Sequence, residues 1–149
     1  MFANVKRFII LLCFPFAAMA VQCDVSTTFF SFPAYDVLSI SPTDATAQIT
    51  VQCDQGLPFQ VKMNAGLYAA GNFNSRTMQS VQTPSRLLYN LYLDPSYSQV
   101  WGDGSGFSLY YQGISGPIPL KLPVFGRIPA AQNVAAGQYH DSIVITVEW

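Results

Sequence analysis

The sequence predicts an all-β domain, a sandwich or barrel of short strands, and three observations carry that reading. Half of the 149 residues are apolar and only 10% are charged, so a packed core is expected. Aromatics make up 14%, and together with Val, Ile and Thr they suit a pleated, half-buried surface better than a helix. Ten Gly and ten Pro interrupt the chain too often for long helices.

Each element follows from period-two alternation, which places successive side chains on opposite faces of a strand. Cys23 lies in a first strand. In the second, Ala47, Ile49, Val51 and Cys53 share one face, and Gln48, Thr50, Gln52 and Asp54 the other. Phe59, Val61 and Met63 alternate with Gln60, Lys62 and Asn64. Leu87 to Leu93 reads as a strand apolar on both faces. The last strand is expected to run unbroken from Tyr139 to Trp149. Tyr139, Ile143, Ile145, Val147 and Trp149 point one way, and His140, Ser142, Val144, Thr146 and Glu148 the other. Turn residues separate these runs at Ser41–Asp44, Asp54–Pro58, Asp94-Pro95, Gly102–Gly106 and Gly116–Pro119. No repeat or linker divides the chain, so a single domain over 21–149 is expected.

The first twenty residues read as a secretory signal peptide. Lys6 and Arg7 precede a short apolar run from Phe8 to Phe16, and Ala18-Met19-Ala20 presents small residues for cleavage between Ala20 and Val21. The run is too short for a membrane span. Cleavage removes Lys6, Arg7 and Cys13, leaving five basic residues against eight acidic ones. Such a balance offers no basic patch for nucleic acid. It also leaves Cys23 and Cys53, an even pair that reads as a disulfide in a secreted chain. That bond would tie the first two strands together near one end of a sheet.

The residues nominate no catalytic centre, metal site or cofactor. His140 is the only histidine, and no Ser–His–Asp set or HExxH pattern surrounds it. Two thiolates thirty residues apart do not make a zinc site. Asp103 reads as a turn former rather than a calcium ligand. Gly102, Gly104 and Gly106 miss the spacing of a dinucleotide loop. Tyr92, Tyr97, Trp101, Phe107, Tyr110 and Tyr111 crowd the middle of the chain. Most read as packing. Tyr97, Tyr110 and Tyr111 flank loops and are the candidates for a surface-binding patch.

In order along the chain, these segments resemble one family. Cys23-Asp24-Val25 is followed by Phe32-Pro33-Ala34-Tyr35-Asp36, then by Asp44-Ala45-Thr46 and Ile49-Thr50-Val51-Gln52-Cys53. Next come Arg76-Thr77-Met78, Leu88-Tyr89-Asn90-Leu91-Tyr92 and Val100-Trp101-Gly102-Asp103-Gly104. Val124–Pro129 and Ala136–Asp141 close the pattern. The whole mature chain thus resembles the spore coat protein U domain, shared with subunits of archaic (Csu-type) chaperone–usher pili. Pro33 and Phe125 depart from the family's usual Gly and Tyr.

The resemblance implies an immunoglobulin-like, pilin-type β-sandwich lacking its final strand. It implies a secreted, non-enzymatic subunit of a surface pilus or coat with a role in adhesion and biofilm formation. Its expected partners are a periplasmic chaperone, an outer-membrane usher and neighbouring subunits, with no nucleic acid and no small-molecule substrate. In that scheme a strand from a neighbour completes the sandwich. Only Val21 and Gln22 would precede Cys23 after cleavage, so a tip or minor subunit is expected. Two alternatives stand beside it: a self-standing spore-coat or cell-surface protein, and a carbohydrate-binding sandwich.

Overall fold

The computed structural model describes residues 20–149. The expected signal peptide, apart from Ala20, lies outside the described residues, as do Lys6, Arg7 and Cys13. Nine strands and no helix occur among the described residues: β1 (Cys23–Thr27), β2 (Thr43–Cys53), β3 (Leu57–Met63), β4 (Arg76–Ser80), β5 (Arg86–Tyr92), β6 (Tyr111–Ser115), β7 (Leu120–Ile128), β8 (Tyr139–His140) and β9 (Ile145–Glu148). A six-stranded sheet runs β1-β2-β7-β5-β4-β8, and a three-stranded sheet runs β6-β3-β9.

The core lies between the sheets because the alternation puts one apolar face of each on the inside. In β2, Ile49 and Val51 are at most 1% exposed. Opposite them in β7 stand Leu122 and Leu120. Phe59, Val61 and Met63 of β3 supply the facing layer. Burying such side chains stabilises the fold by about 1.5–3 kcal/mol each. Cys23 and Cys53 are direct register partners in the β1–β2 pair and form the disulfide. It closes a loop between residues 30 apart in sequence. Such a cross-link contributes about 3.5–4 kcal/mol in the chain-entropy model.

Two polar side chains hold the core's far end. Trp101 is 1% exposed, and its indole N–H donates to the Val61 carbonyl at 2.9 Å. Arg76 is fully buried. Its guanidinium donates to Asn90 Oδ1 at 2.7 Å, to the Asn64 carbonyl at 2.8 Å and to the Trp101 carbonyl at 2.6 Å. Burial pulls its pKa down to about 10.

The last strand differs from the expectation. Tyr139 and His140 pair with Ser80 and Gln79 in the large sheet, whereas Ile145–Glu148 pairs with β3 in the small one. Asp141 causes the break. Its carboxylate accepts from the Leu67 and Ser142 amides, each at 2.8 Å, and this takes the chain out of one ladder and across to the other. Of the inward set, Tyr139, Ile143, Ile145 and Val147 nevertheless pack on one core, whereas Trp149 beyond the end of β9 is exposed. β7 is a long strand despite Pro123. The proline is tolerated because β5 pairs only with Phe125–Arg127, so no ladder bond from residue 123 is needed on that side.

Candidate functional site

A cleft of about 670 Å³ opens where the three-stranded sheet fails to cover the larger one. Its floor is apolar and includes Ile49, Leu87, Tyr89, Val124 and Ile128. Residues 27–35 form one wall, and Ile143 and Ile145 stand on the other.

Both walls carry main chain without partners. β9 bonds β3 on one side and is the edge of its sheet on the other. Facing it, β1 ends its pairing at Thr27. Thr28 still donates to the Gln48 carbonyl at 2.9 Å, and the Asp36 carbonyl accepts from Ser39 at 3.1 Å. Between those points, residues 29–35 belong to no strand and form no hydrogen bond from main chain to main chain among the described residues; the Phe32 carbonyl accepts only from the neighbouring Ser31 hydroxyl, at 3.4 Å. Their side chains still alternate: Phe30 and Phe32 are half-buried, and Phe29 and Ser31 are exposed. Gly126 gives Phe30 room, since a Cβ there would overlap that ring.

One end of the cleft is polar but internally satisfied. The Tyr89 hydroxyl donates to Asp141 Oδ2 at 2.7 Å, and the other oxygen of Asp141 serves the Leu67 and Ser142 amides. Burial first, then that hydrogen bond, pushes the Tyr89 phenol above its ordinary pKa, so it remains a donor. His140 is exposed and meets the Tyr68 hydroxyl at 3.1 Å. The cleft therefore offers apolar floor and unpaired main chain, which is the chemistry of strand recognition.

The three tyrosines singled out from the sequence lie on separate surfaces. Tyr97 lies on the outer face of the large sheet. Its ring sits 3.5 Å from the Arg127 guanidinium and packs edge-on to Tyr92 and Phe125. Arg127 in turn grips Asp44 with two bonds of 2.7 and 2.8 Å. Tyr110 lies on the outer face of the small sheet, with the Lys62 ammonium 5.4 Å from its ring. Tyr111 turns inward onto Phe59. Asp103 accepts from the Ser105 amide and hydroxyl within an exposed turn. Sequence reasoning missed the wall formed by 29–35. Its signal was present, as Phe30 and Phe32 alternate with Phe29 and Ser31, but the run was too short to read as an element.

Fold and cleft together define an antiparallel β-sandwich with an apolar slot beside an unpaired strand edge. A model of the Spore Coat Protein U domain matches residues 11–146. The chain belongs to that family. It is 32% identical over 106 residues to Protein U of Myxococcus xanthus, covering 68% of this chain and 58% of that protein. It also superposes on a chain in the crystal structure of the CsuC–CsuE chaperone–tip adhesion subunit pre-assembly complex from archaic chaperone–usher Csu pili of Acinetobacter baumannii. That match has a TM-score of 0.61 at 21% identity and covers 87% of this chain and 40% of the other. The chain thus spans less than two thirds of the length of either protein, and with the chain of the Csu complex it shares the sandwich fold.

Proposed function

We propose that this chain is a secreted structural subunit of a bacterial surface pilus or coat, assembled by donor-strand complementation. The observation that carries the reading is the pair of walls, the free edge of β9 and residues 29–35, flanking one apolar floor. An inserted strand would gain main-chain hydrogen bonds from the walls and bury alternate side chains against Leu87, Tyr89 and Val124. Family membership and the shared sandwich support the same reading. Its partners are a periplasmic chaperone, an outer-membrane usher and neighbouring subunits, and its route is export after cleavage between Ala20 and Val21. It has no catalytic role. As a tip or minor subunit it would serve adhesion and biofilm formation.

Two experiments test this. The exported protein is co-expressed with a family chaperone and isolated, then mixed with synthetic peptides whose Val, Ile or Leu residues alternate with polar ones. A stable complex and a raised melting temperature are expected. No complex with any chaperone or peptide overturns the proposal. Labelling of intact fibres, at their ends or along their length, tests the tip position.

The second reading is a self-standing coat or surface protein. The observation in its favour is that the cleft floor is already well shielded in the isolated chain. It predicts a monomer that folds and persists without a chaperone and ignores donor peptides.

A further inference from the structure

With no strand inserted, the floor of the cleft is nonetheless covered. Ile49, Met63, Leu87, Tyr89, Leu91 and Val124 are each at most 5% exposed. Residues 29–35 contribute to that cover through Phe30, Phe32 and Tyr35, which pack on the core. Phe30 and Phe32 meet edge-on at 5.1 Å, and Phe32 lies edge-on to Tyr89 at 5.9 Å. Both rings press on Gly126, where a Cβ would collide with Phe30 and would stand 2.9 Å from Phe32.

The same segment is built to come loose. It is pinned only at its ends. Thr28 exchanges hydrogen bonds with Gln48, at 2.9 Å from its amide and 2.8 Å to its hydroxyl. The Tyr35 hydroxyl donates to the Pro129 carbonyl at 3.1 Å and accepts from the Gln132 amide at 2.9 Å. Between those pins no hydrogen bond from main chain to main chain has to break. Only apolar contact holds Phe30 and Phe32 down, and such contact is non-directional.

We infer that residues 29–35 form a strap that rests on the cleft floor in the free subunit, swings outward to admit the donor strand and then pairs with it as the outer wall. The inference rests on the acceptor reading above and adds regulation to it. A free subunit with an open cleft would present a continuous apolar patch and an open edge, both of which invite aggregation. The strap hides them until a donor arrives. Only the open fraction of molecules can bind, so the strap lowers both the apparent affinity and the rate.

The test is a stopped-flow titration of the exported protein with a dye-labelled peptide of alternating apolar and polar residues. In the wild type the observed rate should level off at high peptide concentration, at the rate of strap opening. In the Phe30→Ala/Phe32→Ala variant, association should be about tenfold faster or more and rise linearly, because the closed fraction is gone. The free variant should also bind more of the apolar dye ANS than the wild type. Equal rates in the two proteins, or a wild-type rate that rises linearly without limit, overturn the strap and leave the acceptor cleft standing. No binding by either protein overturns the acceptor reading and the strap with it. Should the double variant fail to fold, the wild-type concentration dependence decides alone.

Discussion

Arg76 is the side chain on which most of the core's polar order depends. It satisfies the carbonyls of Asn64 and Trp101 and the side chain of Asn90 from a fully buried position. Arg76→Met should therefore destabilise the fold by about 3–5 kcal/mol in urea unfolding, because those acceptors would be left buried and unpaired. Lys at this position should recover little, since an ammonium lacks the planar fork. The exposed carboxylates make a second prediction at this scale. Asp44 is held below its ordinary pKa chiefly by its hydrogen bond to Arg127, and Asp103 by the Ser105 hydroxyl. Asp94 is held well below it by the Ser96 hydroxyl and by amides of its own loop. Their folded pKa values lie below the unfolded ones, so the unfolded chain binds protons first as pH falls. The stability they supply is complete above about pH 4 and is lost as pH drops through the lowered folded values. The urea midpoint should fall over that window, and Asp94→Asn should flatten the fall. A midpoint that is level down to pH 2 would contradict this.

Among the elements, β2 and β3 were legible because their alternation is strict and one face is buried. β7 was not assigned, and it holds Pro123 and Gly126, residue types that ordinarily weaken a strand. Each is allowed by tertiary context: Pro123 stands where β5 no longer pairs, and Gly126 makes room for Phe30. The division of the last strand was equally hidden. Alternation continues through the break, and what breaks it is Asp141, whose partners Leu67 and Tyr89 are distant in sequence. The Cys pair could be read once Cys13 was assigned to the signal peptide, and its register followed once β1 and β2 paired. Cys23→Ser or Cys53→Ser should cost about 3.5–4 kcal/mol in chemical denaturation, and unchanged stability would refute a structural role for the bond. Gly126→Ala should cost about 1–3 kcal/mol, because the added methyl meets the Phe30 ring in a packed site.

At the scale of the whole molecule, the fold class was readable and the cleft was not. Composition and period two gave the all-β class. Only the ordered motifs pointed to an incomplete sandwich, because the slot is made by segments from along the whole domain that meet in space. Tyr97 lies over the other sheet from Tyr110, and the neighbouring Tyr111 turns inward, because adjacency to loops says nothing about which sheet or face a residue joins. Strand insertion between β9 and residues 29–35 is the central event proposed for this molecule. Hydrogen–deuterium exchange, read with and without a bound alternating peptide of about eight residues, tests it directly. New protection is predicted at the amides of Ile145–Glu148 and of residues 29–35 together. Peptide binding that leaves both segments exchanging as before, or that protects a different edge such as β1, would contradict it.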